Sequence, residues 1–129
     1  MSTNMSKNLW PDFDIGQAPR SPKIVIEEAG GGLEKKTKGF VRFYPMNTSI
    51  KDNEVEVVFS LYTPTLPYHF PFLRAKFAVE PLYPVTVVAD KMTDVVASDE
   101  NELTASLAKI FNSPSTVDTI QRLMSLAQQ

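Results

Sequence analysis

The chain has 129 residues, a formal net charge of −2 and no cysteine. That length suits one domain with a sizeable core, and the balanced charge leaves no electrostatic footprint for nucleic acid. The absence of thiols excludes disulfides, cysteine nucleophiles and thiolate metal sites, and no apolar run approaches the roughly 20 residues that cross a bilayer.

Residues 1–20 read as an arm. They are polar at first, then run Leu9-Trp10-Pro11-Asp12-Phe13-Asp14-Ile15, with Gly16 and Pro19 discouraging regular structure. Trp10, Phe13 and Ile15 are too apolar for a solvated tail, so they are expected to dock on the body or on a second copy. Lys7 is followed by no apolar block of a secretory signal, and the expected compartment is a reducing cytoplasm.

Residues 21–129 read as a single domain. Ser21-Pro22 is a helix start, a hydroxyl cap before proline at the first helical position. Ile24, Val25, Ala29 and Leu33 fit one helical face, while Glu27, Glu28, Glu34, Lys35, Lys36 and Lys38 suit an exposed one. Gly30-Gly31-Gly32 would each cost a helix about 1 kcal/mol against alanine. The rival reading is a strand over residues 23–28 that ends in a glycine loop. The spacing favours one helix, strained at the glycines and capped by Gly39. The triple glycine lacks the Gly-Lys-Ser/Thr ending and the preceding strand of a phosphate loop.

Phe40 to Met46 reads as the first strand and Asn47 to Asn53 as a polar turn. Val55, Val57, Phe59 and Leu61 alternate with Glu56, Val58, Ser60 and Tyr62, which gives the second strand. Thr63 to Pro71 reads as a proline-rich connection interleaved with Tyr68, His69 and Phe70. Leu73, Ala75, Phe77 and Val79 alternate with Arg74, Lys76, Ala78 and Glu80, the pattern of a half-buried antiparallel strand. Pro81-Leu82-Tyr83-Pro84 breaks it. Val85 to Ala89 is a fourth, β-branched strand, and Thr93 to Ser98 a short fifth.

Asp99 opens the next helix with Glu102 as its capping-box partner. Leu103, Leu107, Ile110 and Phe111 mark its apolar face. After Asn112, Ser113-Pro114 repeats the cap-plus-proline start, and Val117, Ile120, Leu123, Met124 and Ala127 form a second face. The expected fold is α+β: an N-terminal helix, a four- or five-stranded antiparallel sheet, and two C-terminal helices packed on one sheet face. The opposite face would then carry Arg42, Tyr44, Tyr62, Phe72, Arg74, Lys76 and Thr86.

The stretch PRSPKIVIEEAGGGLEKKTKG, followed by EPLYPVTVV and a helix of the ENELTASLAKIFNS type, resembles a group of small uncharacterised bacterial proteins. The shared features are the Pro-x-x-Pro-Lys-Ile start, the Lys-Thr-Lys-Gly helix end and the Tyr-Pro after the third strand. The resemblance implies a bacterial source and no activity. The order helix, four strands, helices, with a Tyr-Pro, is also loosely similar to ubiquitin-conjugating and RWD domains. A chain without cysteine cannot carry conjugation chemistry, so that similarity concerns the fold alone.

His69 is the sole imidazole. Catalysis through it would need a nucleophile or acid within reach. Ser60, Thr63, Thr65 and Tyr68 are close in sequence, but they form no triad order and no nucleophile elbow. No helix pairs metal ligands around His69. Asp90, Asp94, Asp99, Glu100 and Glu102 lack the calcium-loop spacing, and the last three serve a helix N-terminus. Asp12 and Asp14 lie in the arm, no place for paired acid catalysis. Lys35, Lys36, Lys38 and Arg42 suit a solvated helix end.

The sequence therefore implies no cofactor, no metal and no catalytic residue. Its leading reading is a non-enzymatic protein-interaction or structural module, partnered by itself as a homodimer or by another protein, with neither nucleic acid nor membrane as partner. The expected interaction residues are Trp10, Tyr44, Tyr62, Tyr68, His69, Phe72 and Arg74. The alternative is a small-ligand or enzymatic domain with a pocket near Tyr62, Tyr68 and His69.

Overall fold

A computed structural model describes residues 9–128; the first eight residues of the expected arm lie outside them. The elements are α1 (Pro22–Gly30), α2 (Leu33–Lys36), β1 (Arg42–Lys51), β2 (Glu54–Thr63), β3 (Tyr68–Ala78), β4 (Val85–Ala89), β5 (Val95–Ala97), α3 (Glu100–Phe111) and α4 (Pro114–Ala127). The strands form one antiparallel five-stranded sheet in the order β1-β2-β3-β4-β5. This is the α+β class that the alternating and helical periods predict.

Local chemistry fixes the helix starts. Ser21 and Ser113 each accept a backbone N–H, from Ile24 and Thr116, with proline next in line. Asp99 accepts from the Glu102 N–H, and Glu102 reaches back to the Ser98 N–H at 2.7 Å. Both ends of the capping box are thus satisfied.

The expected single helix over residues 22–38 breaks into α1 and α2 at the glycines. The chain then turns through Lys38 and Gly39 at φ 54° and 87°. Thr37 fixes this exit: its hydroxyl donates to the Val41 carbonyl at 2.9 Å and accepts the Val41 N–H at 3.0 Å. Gly30 is buried against Phe43; a β-carbon built there would lie 2.2 Å from Phe43 Cδ2.

The end of β1 and the start of β3 differ from the sequence reading. β1 runs on through Asn47-Thr48-Ser49-Ile50, and the turn shrinks to Asp52-Asn53. Asp52 takes φ 58°, and the Asn53 amide ties the turn to β3 by donating to the Glu80 carbonyl and accepting its N–H. Polar residues are accepted there because residues 46–51 are exposed on both faces, so the ladder with β2 alone holds them in strand. β3 begins at Tyr68, so Tyr68, His69 and Phe70 belong to the ladder and the connection is confined to residues 64–67. Pro71 is accommodated because β3 bulges beside it. Phe59 pairs with Leu73, yet Ser60 pairs with Pro71, leaving Phe72 as the extra residue, and a bulge is one of the few places a strand accepts proline.

The core lies between the sheet and the helices. Val57, Phe59, Ala75, Val85, Val87 and Leu103 are fully buried, and Leu73, Phe77, Leu107 and Ile110 join them. Ile120, expected in the core, is half-buried. α4 sits rotated from its expected face: Val117 is exposed while Thr116 and Thr119 are buried. The threonine hydroxyls permit this by donating to the Ile110 and Ser115 carbonyls at 2.7 and 3.0 Å, so burial leaves no polar group unpaired.

Tyr83, in the break between β3 and β4, differs. Its hydroxyl is buried and finds no hydrogen-bond partner among the described residues. Desolvation, reinforced by the charge of Glu100, raises its pKa above the ordinary phenol value. The folded chain then holds that proton more tightly than the unfolded one. The stability this contributes is intact below about pH 10 and is lost as pH rises through the folded-state value. Tyr83→Phe is expected to raise stability at neutral pH by about 1 kcal/mol, because it deletes an unsatisfied group, and to flatten the alkaline decline. Urea midpoints at neutral and alkaline pH check both; a destabilised variant would show that the hydroxyl is satisfied in solution.

Candidate functional site

The alternation sorts the sheet into two faces. The helices gather on the face of Val57, Phe59, Ala75 and Val87. The opposite face carries Arg42 and Tyr44 from β1, Glu56, Val58 and Tyr62 from β2, and His69, Arg74 and Lys76 from β3. Thr86 and Val88 continue it on β4.

Three rings meet on this open face. Register places Arg42 opposite Tyr62, Tyr62 opposite His69, and Tyr44 opposite Ser60. Tyr62 and His69 stack with centroids 4.3 Å apart at 25°. Tyr44 leans on both, at 5.9 Å from Tyr62 and 5.5 Å from His69. Tyr44 remains 48% exposed, while Tyr62 and His69 are half-buried. Beneath it, Ser60 Oγ lies 2.9 Å from His69 Nδ1 and donates to the Tyr44 carbonyl at 3.4 Å. Which of the two groups donates in the Ser60–His69 contact follows from the tautomer of the ring.

A serine against an imidazole invites a catalytic reading. Ser60 is fully buried, so its oxygen has no approach for a substrate carbonyl, and a nucleophile must be reachable. The contact fixes the imidazole plane and so holds the ring stack. Among the described residues no group of three or more histidines and carboxylates could hold a metal ion.

The seven expected interaction residues do not all assemble. Tyr44, Tyr62 and His69 share the cluster. Arg74 lies on the same face and pairs with Glu56 at 3.0 Å. Phe72, expected outside, is buried on the helix side, because the bulge turns it to the same side as Leu73. Tyr68 is one residue from His69 and therefore points to the other face, 47% exposed. Tyr62, Tyr68 and His69 thus do not converge on one pocket. Trp10 lies in the arm, where Leu9, Trp10, Phe13 and Ile15 are 76–91% exposed.

The sequence reading missed two hollows. A shallow one of about 180 Å³ opens where β3 bulges away from β4, lined by Val58, Pro71, Arg74 and Val88 among others. It adjoins the ring cluster, since Pro71 is paired with Ser60. Proline inside an alternating strand was the signal that could have found it. The second, of about 230 Å³, lies on the helix side between α1, the sheet and α4. Phe43, Phe72, Phe111, Leu61 and Ile120 wall it, Gly30 and Gly32 border it, and Lys36 stands at its edge.

The arm is anchored at its root. The Arg20 guanidinium grips the Glu28 carboxylate at 2.7 and 3.2 Å and meets Glu100 at 3.3 Å, so it fastens the arm to the last turn of α1 and the start of α3. These hydrogen bonds hold the Glu28 carboxyl below its ordinary range. No helix among the described residues is long and apolar enough to cross a membrane. Compared with known proteins, the chain matches no family model, no curated protein and no solved structure.

Proposed function

We propose that the protein is a non-enzymatic interaction module that pairs with a second copy of itself through the open face of its sheet. One observation carries this reading: a partly exposed ring cluster and a hollow lie side by side on that face. A twofold axis presents the same patch from both partners, so a protrusion beside a recess is self-complementary. Tyr44 and Tyr62 of one copy would enter the hollow edged by Val58, Pro71 and Val88 of the other. Arg74, Glu56 and Lys76 border the patch with both signs of charge, which suits a polar rim. Tyrosine and arginine are the side chains that interface centres favour. The buried Ser60 beneath His69 supports a binding surface over a hydrolytic one. A cytoplasmic setting suits the lack of cysteine.

Light scattering at micromolar concentration is expected to give twice the chain mass of 14.4 kDa. Tyr62→Asp places an unpaired charge at the centre of the interface and is expected to return the monomer while leaving the circular dichroism of the fold intact. A wild-type monomer, or a Tyr62→Asp dimer of unchanged affinity, would remove the open face as the pairing surface.

A further inference from the structure

We infer that the cavity between α1, the sheet and α4 binds a small aromatic carboxylate of the benzoate class, its ring among Phe43, Phe72 and Phe111 and its carboxylate at Lys36. The inference does not rest on self-association, because this cavity lies on the helix side of the sheet.

Volume sets the size of the guest. The cavity holds about 230 Å³. An apolar cavity of about 150 Å³ already takes benzene, whereas pockets for drug-sized ligands run from about 300 Å³ upward. The space suits one ring with one short substituent.

The lining favours an aromatic ring. Phe43 meets Phe72 edge-on at 6.4 Å and Phe111 edge-on at 5.5 Å, while Phe72 and Phe111 tilt at 32° across 6.4 Å. A guest ring among them finds both faces and edges, the geometry that aromatic pairs prefer. The core is also unfinished here. Leu33, Phe43, Phe111 and Ile120 pack against the buried cluster yet remain half-buried, and all four line the cavity. From α1 and the α1–α2 break come Ala29, Gly30 and Gly32, so little side-chain volume enters from that side. A guest that covers the half-buried rings removes their remaining apolar surface from water.

Charge favours a carboxylate. Lys36 is the only charged residue that lines the cavity. Among the described residues it enters no ion pair, whereas Glu34, on the same short helix, is taken by Arg42 at 3.1 Å. The other polar side chain of the wall is already satisfied. Thr116 donates its hydroxyl to the Ile110 carbonyl at 2.7 Å and accepts the Ser113 hydroxyl at 3.0 Å. An anion at the rim is therefore answered by Lys36, and nothing in the wall repels it.

Titrating sodium benzoate into the isotope-labelled full-length protein, followed by NMR, tests the assignment. Saturable shifts are expected at Gly30, Gly32, Phe43 and Ile120, with a dissociation constant of about 1 mM or lower. Benzyl alcohol, which keeps the ring and lacks the charge, should bind about fivefold more weakly, and so should benzoate to Lys36→Gln; this is the scale of an exposed ion pair. Butyrate keeps the charge without the ring and should bind about tenfold more weakly. Gly32→Leu adds bulk at the cavity wall without a clash, since a β-carbon there meets nothing within 4 Å. It should weaken benzoate at least about tenfold. If Gly32→Leu fails to fold, Ile120→Trp adds the bulk from α4 instead. Tyr62→Asp, which probes pairing through the open face, should leave benzoate binding unchanged. Absence of saturable shifts overturns the inference, as do shifts centred on Tyr62 and His69. Butyrate as tight as benzoate would make this an acyl-chain site and refute the aromatic class. Binding indifferent to Lys36→Gln, or to the filled cavity, would refute the assignment of the carboxylate or of the ring.

Discussion

Phe59→Ala is expected to destabilise the fold by about 3–5 kcal/mol, the range for emptying an aromatic core site. Phe59 is fully buried at the centre of β2 and pairs with Pro45 on one side and Leu73 on the other. Its ring stacks on Phe43 at 5.1 Å and 16°, and such contacts contribute about 0.5–1.5 kcal/mol beyond burial. Phe43 in turn meets Phe111 edge-on at 5.5 Å. Removing Phe59 therefore opens a void under a ring that links the sheet to α3. A domain of this size is stable by about 5–15 kcal/mol in total, so the variant should lie near the folding threshold. Its urea midpoint, compared with that of Val79→Ala at an exposed strand end, is the measurement. A loss below about 1 kcal/mol would mean that the core relaxes into the space.

The second large effect has an unusual sign. Glycine to alanine inside a helix ordinarily stabilises by up to about 1 kcal/mol. At Gly30 the added carbon would lie 2.2–2.7 Å from three atoms of the Phe43 ring. That ring is held by Phe59, Phe72 and Phe111, so it has little room to yield. Gly30→Ala should destabilise by about 1–3 kcal/mol, the cost of overpacking. Gly32→Ala is the matched control: its β-carbon meets nothing, its backbone is right-handed helical at φ −84° and ψ −3°, and it should be neutral or mildly stabilising. Equal shifts in the two urea midpoints would show that the glycines act only through backbone freedom.

Those two glycines also show where sequence reasoning runs out. A run of three reads as a uniform weakness in a helix. In the fold they differ, and only a ring well beyond the helix in sequence, at Phe43, explains Gly30. The alternation in β2 and in the second half of β3 was legible, because one buried face imposes a strict period of two. So were the caps at Ser21, Asp99 and Ser113, which depend on neighbours within three residues. The bulge was not legible as such, since its consequence for Phe72 depends on β2 and β4 together. The ring cluster was partly legible: Tyr44 and Tyr62 follow from alternation, whereas His69 joins them only because the strand extends through a segment rich in proline. The face of α4 was misread because buried threonines look polar until their carbonyl partners are known.

The extra residue at Phe72 makes β3 a strand of two phases. From Leu73 to Ala78 its odd-numbered residues face the helices, and from Tyr68 to Pro71 its even-numbered ones do. The offset lets a single continuous strand satisfy two incompatible reading frames of polarity. Deleting Phe72 would bring the halves into step and keep both faces, with Pro71 alternating directly with Leu73, whereas straightening the strand at constant length would turn His69 inward and Phe70 outward while Arg74 and Lys76 stayed in place. The open-face stack is thus tied to the bulge as well as to side-chain identities, and a change that straightened β3 at constant length would erase it without touching its rings.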